Sequence, residues 1–355
     1  MPAHVGRFLH RLWPRLALSL LFGAGFAWLA SRGGLPLWPS RAAFDHVTSW
    51  AVPTYLASLL ILHVLRAARF RLLIAPVKEL PLRDVLSLNF IGFFAIFLLP
   101  LRLGEFVRPA LSKARHGIPL STGVGTVAVE RVVDGLITSL CVVFVLVSLP
   151  RELPKDPIAR SLPIYALAAL CLFCAAFAAL SAFLWQRARA MRWTRALVGL
   201  VSSRLAALLA DKVDGVADGL RCIGSPRLGA RFLLESIAYW LMNALGVWAL
   251  GVGCGLPGFS LAHAVAVMGI LAIGILLPTG PGLFGTFQLA VAACLRLYYP
   301  AGVVAMQGAA FIFLLYALQS LVMIGAGIVP LYLSPVRLRD LAATSDEPER
   351  AADPA

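Results

Sequence analysis

Six ionisable residues stand where an apolar chain gives them little company. Arg102, Glu105 and Arg108 follow an apolar run that ends at Pro100, and Glu130, Arg131 and Asp134 lie in the next one. An arginine deep in hydrocarbon costs roughly 2.5–3.5 kcal/mol on insertion scales, so it needs a carboxylate, a water-filled cavity or a ligand. Glu105 and Arg108 are three apart and can pair on one helix face. Glu130 and Asp134 are four apart and share a face; they either point into the same cavity or sit at the edge of the apolar run. Guanidinium groups beside the free N–H groups of a helix start suit a phosphate or carboxylate. A third, uncharged group comprises Thr279, Gly280, Pro281, Gly282, Thr286 and Gln288. Its glycines allow close backbone approach, so it reads either as a polar contact point or as a tight turn between short helices.

The histidines (His4, His10, His46, His63, His116 and His263) show no metal-ligand spacing, and no GxxxxGK[ST] phosphate loop is present. No cofactor, metal or catalytic residue is expected. Cys171 and Cys174 form a CxxC inside an apolar run without polar neighbours, which reads as packing rather than redox chemistry.

The elements that must position these residues are membrane helices. The chain is 60% hydrophobic and 14% charged, with mean hydropathy +0.86, well outside the range of soluble domains. The net charge of +14 comes from basic residues beside apolar spans, where they set topology and meet anionic lipid. Nucleic acid is therefore not an expected partner.

Apolar periodicity and positive-inside asymmetry predict about six full spans, near 16–31, 48–65, 119–149, 164–185, 232–252 and 304–331, with both termini cytoplasmic. Two further segments break in the middle. Residues 85–100 make only 16 residues of apolar helix, about 24 Å against a hydrocarbon core of roughly 30 Å. The chain then turns through Pro100 to Gly104 and returns to Gly117. The same design recurs half a chain later, with Pro278, Gly282 and Phe284 in register with Pro100, Gly104 and Phe106. The predicted fold is thus an all-α polytopic membrane protein with inverted structural repeats (about 48–149 and 230–333) and two re-entrant broken-helix hairpins, one opening to each side. Full helices in place of the hairpins would give ten spans. A stripe of apolar residues over 187–228 predicts an amphipathic cytoplasmic linker able to touch an anionic bilayer surface. Residues 336–355 read as a disordered cytoplasmic tail.

Three blocks carry a family likeness. PLRLGEFVRP at 100–109, ERVVDGL at 130–136 and PTGPGLFGTFQ at 278–288 resemble the flippase-like transmembrane domain of lysylphosphatidylglycerol synthases, over about residues 10–335. The resemblance implies that Pro100, Arg102, Gly104, Glu105 and Arg108 belong to the family's central site, joined by Glu130, Arg131 and Asp134 and by the second tip with Thr279, Gly282 and Gln288. The third block departs from the family pattern: Gln288 stands where an acid is common. The sequence carries no aminoacyl-transferase domain after the membrane part, so synthesis of lysyl-phosphatidylglycerol is not expected of it. The expected function is transport of a phospholipid or other polar-headgroup lipid across a bacterial cytoplasmic (inner) membrane. The partner is then a lipid with an anionic or zwitterionic headgroup; a homo-oligomer stays open. The alternatives are a membrane-embedded glycosyl or phosphoryl transferase and a non-transporting partner of a cell-envelope enzyme.

Overall fold

Backbone N–H and C=O groups have no water to bond with in hydrocarbon, so apolar runs of this length close their hydrogen bonds within helices. The computed structural model describes residues 24, 25, 28, 38–99, 104–148, 157–186, 192, 203–274 and 281–333. The regular structure among them is helical throughout. The expected first span lies almost wholly outside the described residues, as do Pro100, Arg102, Thr279, most of 187–202 and the tail.

Ten helices organise the described chain. They are α1 (Ala51–Ile74), α2 (Leu82–Leu98), α3 (Val107–His116), α4 (Leu120–Ser148), α5 (Pro157–Trp185), α6 (Ser203–Gly219), α7 (Pro226–Gly253), α8 (Leu261–Gly274), α9 (Thr286–Tyr298) and α10 (Ala309–Leu333). By length and composition, three continuous helical stretches can cross a membrane: Ala51–Ile74, Pro226–Gly253 and Ala301–Pro330. Leu60, Ile61 and Val64 on α1 and Leu234, Ile237 and Leu241 on α7 are exposed, as side chains facing lipid would be.

α1 and α7 pack together along their length. Gly246 sits against Ser58 and Tyr55, Gly253 against Ala51, and the Thr48 N–H donates to the Gly253 carbonyl at 2.8 Å. Small residues permit this close approach, which is what drives helix association where water gives no hydrophobic force. Tyr55, Leu59 and Leu250 continue into a core with Val267 of α8, Val291 of α9 and Phe311 of α10.

Between these long helices lie four short ones. α2, α3 and α9 have 17, 10 and 13 residues, so the longest of these reaches only about 26 Å, and α8 is described over Leu261–Gly274. α3 folds straight back along α2: Gly104 lies on the backbone of Ala95 and Ile96, and Gly92 faces the Arg108 side chain. α9 returns likewise along α8, where Gly274 meets Ala290. α2 packs on α10 and α8 packs on α4.

One expected boundary changes. The span expected at 48–65 is a helix that runs to Ile74, because Leu72, Leu73 and Ile74 bury against α4 and α2 beyond the arginines. The linker, expected on the membrane surface, is described from Ser203 onward. There α6 packs on α4, with Gly215 against Ser121 and Gly219 against Thr122, Thr126 and Gly125. Ala217 and Leu220 are fully buried, while Asp211 and Lys212 face outward.

Candidate functional site

The polar centre is assembled from five helices whose apolar spacing leaves one polar face each. α2 presents Asn89, Gly92, Phe93 and Ile96, spaced by threes and fours along one face. α4 presents Val127, Glu130, Arg131 and Asp134, and α1 presents Arg66 and Arg69. α3 contributes Arg108 in its first turn, and α7 contributes Phe232, Tyr239 and Trp240.

Each buried carboxylate of α4 holds an arginine from another helix. Glu130 makes a two-pronged ion pair with Arg108, its Oε1 accepting from Nη1 at 3.2 Å and its Oε2 paired with Nη2. Nη1 of Arg108 also donates to Asn89 Oδ1 at 2.9 Å, and the guanidinium lies 4.3 Å from the centre of the Phe70 ring. Four residues on, Asp134 Oδ1 accepts from Arg69 Nη2 at 2.7 Å and from the Trp240 indole N–H at 3.0 Å. Arg69 is 1% exposed and Glu130 2%, so both pairs are withdrawn from water. At such burial, geometry and extra hydrogen bonds must offset a desolvation penalty of several kcal/mol per ion. The Asn89 amide, the Trp240 indole and the aromatic faces supply them.

Arg66 and Arg131 are placed differently. The Arg66 guanidinium carbon lies over Phe93, 3.4 Å from the ring centre, with Tyr239 at 5.6 Å. Arg131 faces Asp134, Glu105 and Glu130 electrostatically, yet its Nε is buried without a hydrogen-bond partner. A small cavity opens here, lined by Asn89, Phe93, Gly104, Glu105, Arg108 and Arg131 among others, with room for about one water molecule.

The structure therefore brings Gly104, Glu105, Arg108 and Arg131 to one cavity, with Glu130 and Asp134 behind it. It corrects one expected pair: Arg108 bonds Glu130 on α4 rather than Glu105, because Glu105 precedes the start of α3 whereas Arg108 turns toward α4. Glu130 and Asp134 are both buried and each pairs with an arginine, and neither lines the cavity. At the second tip, Gly282 has φ +69° and accepts a 3.0 Å hydrogen bond from the Tyr316 hydroxyl. Gln288 is buried, and its Oε1 accepts from the Gly285 N–H at 2.7 Å, capping α9. The two tips meet: a side chain on Gly282 would begin 2.8 Å from Phe97 of α2.

The capping geometry makes a prediction. Gln288→Leu should cost about 1–2 kcal/mol of stability by orphaning a buried N–H. Gln288→Glu, which keeps the acceptor at a helix start, should recover most of it. Thermal unfolding in detergent micelles would read both.

Two blocks of paired charge, a helix pair broken at Gly104 and a second tip meeting the first now stand together with one comparison. The family model described as the lysylphosphatidylglycerol synthase TM region matches residues 16–327. The chain belongs to this family. As a member of the lysylphosphatidylglycerol synthase TM-region family it is a multi-pass membrane protein, in keeping with its long apolar helices. No curated protein and no solved structure matches the chain.

For this family member, reading the residues alone passed over Arg66, Arg69, Asn89, Tyr239 and Trp240. Arg66 and Arg69 look like the basic flank of a span. The signal that distinguishes them is the apolar run Leu72-Leu73-Ile74 that follows at continued helical spacing. Asn89 is a lone amide inside an apolar run, and Trp240 has the ordinary look of a membrane aromatic.

Proposed function

We propose that the chain moves a lipid with an anionic or zwitterionic headgroup between the leaflets of a bacterial cytoplasmic membrane. The observation that carries this reading is the polar centre itself. Four arginines and three carboxylates are gathered from α1, α3, α4 and the first tip, inside a bundle whose outer face is apolar, at the point where short helices end. Buried ionisable groups are expensive in a membrane and mark substrate paths. The headgroup would pass through this centre while its tails stay in lipid.

The short helices support re-entrant hairpins, since α2, α3 and α9 do not reach the thickness of the hydrocarbon core. Exchanging α1–α4 for α7–α10 turns the α2–α10 contact into the α8–α4 contact, as inverted repeats would. In this arrangement both termini are cytoplasmic and movement is downhill or ion-coupled. Glu130 and Asp134, the carboxylates that an enzyme of this architecture would offer as a base, are both engaged by arginines. That favours binding and movement over bond chemistry, so the chain is not itself an enzyme in this reading.

The test is lipid movement in proteoliposomes, with fluorescent lipids of several headgroups and a quencher that reaches only the outer leaflet. The expected result is headgroup-dependent movement above protein-free vesicles, reduced at least about tenfold in Arg108→Lys, which keeps the charge but loses the planar fork. Conversion of a labelled lipid to a new product, without movement, would replace this reading with the enzymatic one.

A further inference from the structure

The second pair of short helices is fastened at its open end by a histidine. The Ala264 N–H donates to the Ser260 carbonyl at 3.2 Å, so Ser260 stands at the start of α8. The Ser260 N–H donates to His263 Nδ1 at 3.0 Å, the Ser260 hydroxyl lies 2.8 Å from the same nitrogen, and the His263 N–H reaches back to that hydroxyl at 3.4 Å. This is a capping box in which an imidazole replaces the usual glutamate or glutamine, each residue closing a free donor of the other. The imidazole also reaches the returning arm. It stacks on Phe259 with 24° between the planes. Its centre lies 4.5 Å from the ring of Tyr298, the last residue of α9, and 5.8 Å from that of Tyr299. One side chain thus caps the start of α8 and packs on the end of α9.

We propose that His263 is a pH-sensitive clasp on this hairpin, closed while the imidazole is neutral and released when it takes a proton. An N–H can donate to Nδ1 only if that nitrogen carries no hydrogen, so the closed state is the neutral one with its proton on Nε2. Protonation puts a hydrogen on Nδ1. That hydrogen can turn to the Ser260 hydroxyl, but the Ser260 N–H loses its acceptor. The charge also falls in the first turn of a helix, where the macrodipole disfavours a cation. The unfolded chain takes the proton freely, so the clasp contributes fully above the ordinary histidine value of about pH 6.5 and is lost as pH falls below it. The helices packed around it offer no carboxylate to hold the proton. α8 has no other charged residue, α1 none before His63, α4 none after Asp134, α7 none after Glu235, and residues 301–333 none. α9 brings the exposed Arg296 and the phenols of Tyr298 and Tyr299, which stay neutral in this range. In the loops, Asp45 and His46 are exposed, and His46 lies against Gly255. With both termini cytoplasmic this end faces the cell exterior, whose pH would then set the clasp; the test needs no such assignment, because a nanodisc exposes both faces to one buffer.

The experiment follows the full chain in phosphatidylcholine nanodiscs at about pH 7.5 and about pH 5, a range that brackets histidine titration. The readout is hydrogen exchange of the backbone around Ser260. His263→Gln keeps the acceptor of a capping box but does not titrate, so it serves as the reference for the pH dependence of amide chemistry and for the other histidines. The exchange rate of the wild type relative to this variant is expected to rise about tenfold from the higher pH to the lower. The unfolding midpoint of the wild type should fall further over the same range than that of the variant. His263→Asn, which does not titrate either, takes the place of the glutamine variant if that one does not fold. His46→Gln, which removes the other histidine near this end, should keep the step in full. The proposal is overturned if the wild type shows no step relative to the non-titrating variants, or if His46→Gln abolishes it. Each of these results is independent of whether the chain moves lipid, so failure of the clasp leaves the transport reading standing.

Discussion

Glu130→Ala should be the most damaging removal of a charge in the polar centre, lowering stability by about 3–5 kcal/mol. Glu130 is one half of a buried pair whose other half, Arg108, is itself buried. With the carboxylate gone, Arg108 keeps only the Asn89 amide and the face of Phe70, and a guanidinium without a counter-charge remains in the bundle interior. The same logic predicts the rescue. In Glu130→Ala/Arg108→Leu both charges are absent, and replacing a buried pair by apolar groups is often close to neutral. The double variant should therefore unfold near the wild-type temperature while the single unfolds far below it, measured on purified protein in detergent. A double variant no better than the single would mean that the pair is not the interaction that holds α3 to α4.

Gly104→Val should abolish folding, and Gly104→Ala should come close to it. A Cβ at this position would fall inside the backbone at Ala95 and Ile96. Backbone cannot rotate away as the end of a side chain can, so the tip would have to lift off α2, at a cost above the 1–3 kcal/mol usual for overpacking. Arg108 is held to α2 by Asn89 and lies against Gly92, so the lifted tip would also pull it from its place. Gly117→Ala is the matched control. Gly117 has φ +69° at the end of α3 but open space around it, so it should cost only about 1 kcal/mol of backbone strain. Expression as a fluorescent fusion followed by size-exclusion chromatography would separate the two. A monodisperse Gly104→Val protein at wild-type yield would show that the tip does not need this contact.

The parts of the molecule legible in the sequence are those set by local rules. The break after the apolar run near Pro100, the return through Gly104 and the recurrence of both at Gly282 are written in proline and glycine spacing, and the structure has short helices at both places. The block Glu130, Arg131 and Asp134 stays open in the sequence between a cavity and the edge of the apolar run, because its spacing gives a shared face but not what that face meets. What spacing does not reveal is which charge meets which. Glu105 is the sequence neighbour of Arg108, but the partner is Glu130, on a helix that meets α3 only in the tertiary fold. Arg69 was hidden for another reason. The basic residues that orient a helix in the membrane and those that enter its core have the same letters, and what separates them is the apolar run that follows, Leu72-Leu73-Ile74, which the fold buries with Phe70. Gln288 shows the converse: a polar residue at a broken tip has the look of a ligand contact, and here its acceptor is committed to the helix start.

The central claim is that a polar headgroup passes between the two tips, which must therefore part. They touch at Phe97 of α2, from which a side chain on Gly282 would begin 2.8 Å away. The measurement is lipid movement in proteoliposomes by Phe97→Cys/Gly282→Cys, in a background freed of the native cysteines, before and after a reducible crosslink joins the pair. The account predicts that the crosslink stops headgroup-dependent movement and that reduction restores it. Movement at the same rate with the tips tethered would contradict it.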